Sequence, residues 1–172
     1  MVPYQVIITA NGSGERMKAI TDGPKFSLFY KGKRILEHLI DVFPTAKVLT
    51  HYDIPYIDQG RIIKCEPTNS RRETLEFIQD MENVLIVDCD IIPDTLKSLK
   101  HSPPEDVTFW KYGDNTRTEA IPNGLYFLKS VKDRLEAMKD GEIGFIKFNE
   151  DCYWDSLHLG TIDEYYNAVL GD

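Results

Sequence analysis

Cysteine is scarce. Cys65, Cys89 and Cys152 are the only three in 172 residues, an odd number and widely spaced. That excludes a disulfide framework and a zinc-finger pattern, and it reads as reduced thiols in a cytosolic protein. No apolar run approaches the ~18 residues of a membrane-spanning helix. The N-terminus has neither a basic segment nor an apolar one after it, so the expectation is a cytoplasmic protein without a signal peptide. Positive charge is also in short supply: 20 Lys and Arg stand against 28 Asp and Glu, a net charge of −8. This argues against a sequence-independent nucleic-acid binder, which needs a basic surface. Internal repeats and low-complexity segments are missing too. What remains is ordinary for a globular chain, 42% hydrophobic and 28% charged, with length enough for one domain over residues 1–172 and a sizeable core.

The most informative stretch runs from Val6 to Lys25. Val6-Ile7-Ile8-Thr9 is β-branched throughout and reads as a strand buried on both faces. Ala10-Asn11-Gly12-Ser13-Gly14 follows, with Arg16 and Lys25 beyond it. Glycines at 12 and 14 let the backbone turn sharply and approach a ligand closely. Backbone N–H groups in such a turn can point at phosphate oxygens, while Arg16 supplies a planar charged fork and Lys25 a point charge on a flexible stem. Two familiar phosphate motifs fail. A Walker A loop needs a Gly-Lys-Ser/Thr ending that is not there. A dinucleotide fingerprint needs a third glycine where Met17 stands, and Glu37 falls in a helix rather than at a strand end.

Downstream, Ile35, Leu36, Leu39, Ile40 and Phe43 share one face of a helix over 34–43 that Pro44 ends, which makes His38 a helix residue rather than a catalyst. Strands are expected at 46–50 and 61–65. Asn69 or Ser70 caps a helix running to about Met81. Asn83 to Val87 reads as another buried strand, and it ends in Asp88-Cys89-Asp90. Carboxylates at the end of a parallel strand lie where ligands bind in open α/β sheets. At positions i and i+2 they point to opposite sides if the strand continues, so one of them would reach a metal. The pattern further predicts a short helix over 94–100, strands at 106–111, 121–128 and 143–148, a helix from Ser130 to near Gly141, and a last helix with Thr161 and Glu164 as its capping box.

Gly12-Ser13-Gly14-Glu15-Arg16-Met17 followed by Pro24-Lys25 resembles the G-x-G-[ST]-R-[ML]…P-K signature of the sugar-1-phosphate nucleotidylyltransferases. Asn11 and Glu15 depart from its usual residues. Gly32-Lys33-Arg34-Ile35-Leu36, Val84 to Ile91, Asn123-Gly124-Leu125-Tyr126 and Trp154-Asp155…Gly160-Thr161-Ile162-Asp163-Glu164 resemble further segments of that family. The resemblance implies a three-layer α/β/α Rossmann-like (GT-A-like) fold with a mostly parallel sheet. It also implies transfer of NMP from an NTP to a sugar-1-phosphate or similar phosphoryl acceptor, with release of pyrophosphate. By the same resemblance Arg16 and Lys25 are catalytic. Ala10, Asn11, Gly12, Ser13, Gly14, Asn69, Ser70, Arg71 and Asp88 would contact the nucleotide, and Asn123 and Gly124 the acceptor. Mg²⁺ would sit on Asp90 and Asp155; strict alignment on Leu159-Gly160-Thr161 puts His158 in the second ligand's place instead. The partners implied are an NTP and a phosphorylated small molecule, with no nucleic acid and no membrane; a homo-oligomer is left open. Two other readings of the same chain are a non-catalytic sensor of nucleotide-sugars and a GT-A glycosyltransferase, which also uses D-x-D.

Overall fold

A computed structural model describes residues 4–12, 18, 21, 23–96, 105–108, 124–138, 147–148, 154–158 and 162–170. The chain begins with β1 (Gln5–Thr9), whose neighbours are β4 (Lys47–Thr50) on one side and β6 (Glu82–Asp88) on the other, both parallel to it. β5 (Ile62–Lys64) extends the parallel set beyond β4. β9 (Leu125–Ser130) runs antiparallel to β6 and to β8 (Val107–Thr108), and β10 (Lys147–Phe148) is parallel to β8. The strand order is β10-β8-β9-β6-β1-β4-β5.

Alternation along these strands builds two cores. Val6, Ile8, Leu85, Val87 and Phe127 face one way and meet Leu36 and Leu39 of α1 (Ile35–Val42). Ile7, Val84, Ile86, Tyr126 and Leu128 face the other way. They meet Leu75 of α2 (Arg71–Glu76) and Val131 and Leu135 of α3 (Val131–Ala137). A sheet covered by helices on both faces must be apolar on both, which is why Val6 to Ile8 and Val84 to Val87 are continuous hydrophobic runs rather than alternating ones. The fold is the expected three-layer α/β/α, mostly parallel sheet.

Two smaller pairs complete the described residues. β2 (Phe29–Tyr30) and β3 (Lys33–Arg34) form a tight hairpin. Lys31 (φ 46°) and Gly32 (φ 81°) both adopt the positive φ that a two-residue turn of this twist requires. β7 (Ile91–Leu96) pairs antiparallel with β11 (Trp154–His158), and α4 (Ile162–Leu170) follows.

Two expectations are corrected, and a third is described only in part. The helix predicted over 94–100 is replaced, as far as Leu96, by strand β7. The spacing of Ile92, Leu96 and Leu99 suits a helix locally, but β11 supplies a partner strand that no local pattern announces. The helix expected to reach Met81 ends at Glu76. The N–H groups of Phe77, Ile78 and Met81 bond to carbonyls three residues back, the carbonyl of Met81 accepts from the Val131 N–H, and Asn83 takes a positive φ as the chain enters β6. The strand expected from Ile121 is described from Leu125 onward, because Gly124 is a turn at φ +88° and residues 121–123 lie outside the described set.

Candidate active site

β1, β4 and β6 end together at one edge of the sheet, and the polar residues of the chain converge there. In parallel pairing Thr9 lies opposite Asp88 on one side and Leu49 on the other. Beyond this edge is a cavity of ≈ 350 Å³, lined by Thr9, Asn11, Gly12, Lys25, Thr68, Asn69, Ser70, Arg71, Thr74, Leu75, Asp88, Cys89, Asp90 and Tyr126. Its size suits a small-molecule ligand, and its position is where open α/β sheets bind theirs.

The condition under which Asp88 and Asp90 would point apart, a strand continuing through both, is not met. β6 ends at Asp88, and Cys89 and Asp90 form a turn, so both carboxylates line the cavity. Each meets a cation. Lys25 Nζ lies 2.9 Å from Asp90 Oδ2, with the two side chains 16% and 9% exposed. Arg71 Nη2 lies 2.7 Å from Asp88 Oδ2, and the Thr9 hydroxyl donates to Asp88 Oδ1 at 3.1 Å. Burial pushes the Asp88 carboxyl above the usual carboxylate range, and the nearby Asp90 charge adds to the shift; Arg71 and the Thr9 hydroxyl work against it. The Asp88 charge in turn raises Arg71. Between the two aspartates, burial drives the Cys89 thiol up to about 12, far from thiolate formation. Burial likewise raises the Tyr126 hydroxyl, with Asp88 adding to it.

Gly124 acquires a reason other than acceptor contact. Its carbonyl accepts from the Asp88 N–H at 2.7 Å. A Cβ on it would lie 3.1 Å from Asp88 Cβ and 3.2 Å from Asp88 Oδ2. The glycine lets the chain enter β9 directly beside Asp88.

Asn69 and Ser70 stand at the start of α2. The Ser70 hydroxyl accepts from the Glu73 N–H at 3.2 Å, and the Glu73 carboxylate accepts from the Asn69 N–H at 2.8 Å, a reciprocal arrangement that closes the helix start. Asn11 is buried and lines the cavity, yet its amide is committed within the protein. Nδ2 donates to the Glu66 carbonyl at 3.0 Å and to Thr68 Oγ1 at 2.8 Å, while Oδ1 accepts from the His51 N–H at 2.7 Å and from the His51 ring at Nδ1. Thr68 passes the chain on to Thr74, whose hydroxyl donates to the Ser70 carbonyl. Ala10 is also committed, its N–H to Leu49 and its carbonyl to Thr50.

Ser13, Gly14, Arg16 and Asn123 lie outside the described residues. Asp155 and His158 are placed by strand register. His158 pairs with Ile91, next to Asp90, whereas Asp155 pairs with Thr95, four residues further along β7, or about 13 Å at strand rise. Among the described residues no group of three or more His, Cys, Asp or Glu is gathered as a metal site, and no helix is long and apolar enough to cross a membrane. Sequence reasoning missed Thr9, Thr68, Thr74, Tyr126 and the His51–Asn11 pair. A polar residue closing the apolar run Val6-Ile7-Ile8 was the available signal for Thr9; the others come together only through the fold.

His51 carries a testable consequence. Its desolvation and the charge of Lys64 hold its ring below the ordinary value of 6.5, against the opposing charge of Glu66. The stability contributed by this neutral ring is whole above about 6.5 and is lost as pH falls through the lower folded value. An NMR titration of the His51 ring is expected to show a midpoint below 6.5; a midpoint at or above it would remove the effect.

The sheet and its flanking helices define a class of fold, three-layer α/β/α and Rossmann-like, with a cavity at the carboxyl edge of the sheet. Solved structures of other proteins share this fold. A CTP:phosphocholine cytidylyltransferase from Streptococcus pneumoniae is 14% identical, covering 96% of this chain and 97% of its own, with a TM-score of 0.67. A nucleoside-diphosphate-sugar pyrophosphorylase from Vibrio cholerae RC9 is 15% identical, covering 96% and 100%, with a TM-score of 0.60. An inositol-1-phosphate CTP transferase from T. maritima is 12% identical, covering 96% and 94%, with a TM-score of 0.59. At such identities the likeness is one of fold. The sequence matches no family model and no curated protein.

Proposed function

We propose that this protein is a nucleotidyltransferase. A phosphomonoester oxygen of the acceptor attacks the α-phosphorus of an NTP, the bond from the α-phosphorus to the bridging oxygen breaks, and pyrophosphate leaves with that bond's electron pair. The acceptor oxygen is already anionic, so no general base is needed and the rate comes from positioning and charge neutralisation. The observation that carries this reading is the meeting of Lys25 and Asp90 beside Gly12 at the carboxyl edge of the sheet. Lys25 turns its ammonium to the α-phosphate and the incoming acceptor phosphate. Gly12 opens the loop that holds the leaving phosphates, with Arg16 as their charged partner. Arg71 and the 68–70 segment flank the nucleoside end of the cavity. Phosphocholine, inositol-1-phosphate and the sugar-1-phosphates are all phosphomonoesters, and the acceptor here is assigned to that class, with a sugar-1-phosphate as the leading choice.

Asp90, with hard carboxylate oxygens at the cavity wall, suits magnesium, which takes one or two protein carboxylates and completes its shell with water and phosphate. Bound there, magnesium supplies neutralisation of the charge that builds on the phosphate oxygens. The β7–β11 register supports His158 over Asp155 as the residue beside Asp90.

The test is pyrophosphate release from each of the four NTPs and dTTP, against a panel of sugar-1-phosphates, inositol-1-phosphate and phosphocholine, with Mg²⁺ and with EDTA. Metal-dependent release with one pair is expected and would identify base and acceptor together. Silence across the panel, with nucleotide-sugar binding retained, would make the protein a sensor and end the catalytic reading.

A further inference from the structure

The backbone pairing of β1 with β4 stops near Thr9 and Leu49, with a last bond from the Ala10 N–H to the Leu49 carbonyl at 2.9 Å. The next three residues of each segment remain tied, now by side chains. The Thr50 hydroxyl, fully buried, donates to the Ala10 carbonyl at 2.6 Å. The His51 N–H and ring reach Asn11 Oδ1. The Tyr52 hydroxyl donates to the Gly12 carbonyl at 2.8 Å. Residues 10, 11 and 12 are thus held in turn by residues 50, 51 and 52. The same Thr50 oxygen accepts from the Tyr52 N–H at 3.0 Å, so the tip of this ladder is anchored on its own base.

Tyr52 also faces the second half of the site. Its ring meets Phe26 edge-on, with centroids 5.7 Å apart, and Phe26 is the residue after Lys25. The ring of His51 lies 4.0 Å from that of Tyr52 by centroid. One side chain therefore touches both segments that bring phosphate-directed groups to the cavity, Gly12 through its hydroxyl and Lys25 through Phe26.

We infer that Tyr52 is a positioning residue for polyphosphate binding: it sets the direction in which the chain leaves β1 at Gly12 and its spacing from Lys25. The inference rests on the phosphate-site reading above. The role belongs to the hydroxyl as well as to the ring, because it is the hydroxyl that bonds Gly12. Tyr52→Phe removes only the bond to Gly12 and keeps both ring contacts, which makes it the discriminating change.

The experiment is calorimetric titration of inorganic pyrophosphate, with Mg²⁺, into the wild-type protein, Tyr52→Phe and Lys25→Ala, alongside thermal unfolding of each. Tyr52→Phe is expected to weaken pyrophosphate binding about three- to tenfold, the range of one hydrogen bond, with an unchanged unfolding midpoint. In the turnover assay its loss should appear in KM for the NTP more than in kcat. Equal affinities for wild type and Tyr52→Phe would overturn the inference while the phosphate site stands. An equal loss in affinity and in unfolding midpoint would also overturn it, since that is a purely structural role. Wild-type protein that binds neither pyrophosphate nor any NTP would overturn the phosphate site itself and the inference with it.

Discussion

Lys25→Ala is expected to reduce pyrophosphate release on the order of 100–1000-fold, the scale of removing one preorganised charge-stabilising donor. The argument is geometric. Lys25 Nζ is within 2.9 Å of Asp90 Oδ2, both side chains are largely withdrawn from solvent, and Gly12 lines the same cavity. In such a setting an ammonium acts through fixed position and weak screening, and water cannot take its place cheaply. The loss should fall mainly on kcat, because charge on the phosphate oxygens is greatest in the transition state. Lys25→Arg should recover only part of it, since a planar fork cannot occupy the place of a point charge. Steady-state kinetics of the two variants, with an unfolding curve for each, checks the prediction. A Lys25→Ala protein with near-wild-type kcat would remove Lys25 from the catalytic role.

Gly124→Val is expected to be the most damaging single change at the rim of the site, costing about 2–3 kcal/mol of stability from backbone strain and crowding together. Gly124 has φ +88°, where a β-branched residue is strongly disfavoured. Its new Cβ would press on Asp88 at 3.1–3.4 Å, on the same carboxylate that Arg71 and Thr9 hold. Gly124→Ala should show the same sign with a smaller loss. The measurement is denaturant unfolding of both variants, with nucleotide affinity read on the folded protein. Stability close to wild type for Gly124→Val would mean that this turn relaxes freely, and would leave the acceptor contact implied by the resemblance as the reason for the glycine.

Much of the scaffold was legible because its signals are local. Val6 to Thr9 and Val84 to Val87 announce strands covered on both faces, and both are central strands of the sheet. Ser130 before Val131 announces a helix start, and its hydroxyl indeed accepts from the Asp133 N–H. Where local pattern and tertiary partner disagree, the partner wins. Residues 94–96 carry a pattern that suits a helix but lie in β7, where Thr95 and Leu96 pair with β11, and the segment after Glu76 carries a helical stripe, with Leu75, Ile78 and Met81 in phase, but tightens to feed β6. Asn11 shows the same limit at the site. The resemblance places it among the nucleotide contacts, and it does line the cavity; what the chain pattern does not announce is that its buried amide also ties Glu66, Thr68 and His51, partners 40 and more residues away.

The sequence by itself determined the fold class, the glycine loop at the end of the first strand, and the chemical kinds of group available for a phosphate: two cations, a loop of small residues and a pair of aspartates. The fold class is what the resemblance of the motifs implies; the strands and the groups follow from side-chain period, glycine spacing and charge, which are properties of neighbours in the chain. Only the tertiary structure decided which of them meet. Lys25 finds Asp90 across 65 residues and Arg71 finds Asp88 across 17; His158 is brought level with Ile91, and Tyr52 with Gly12. These meetings depend on strand register and on where each strand stops, and register is set by packing of the whole sheet rather than by any segment alone.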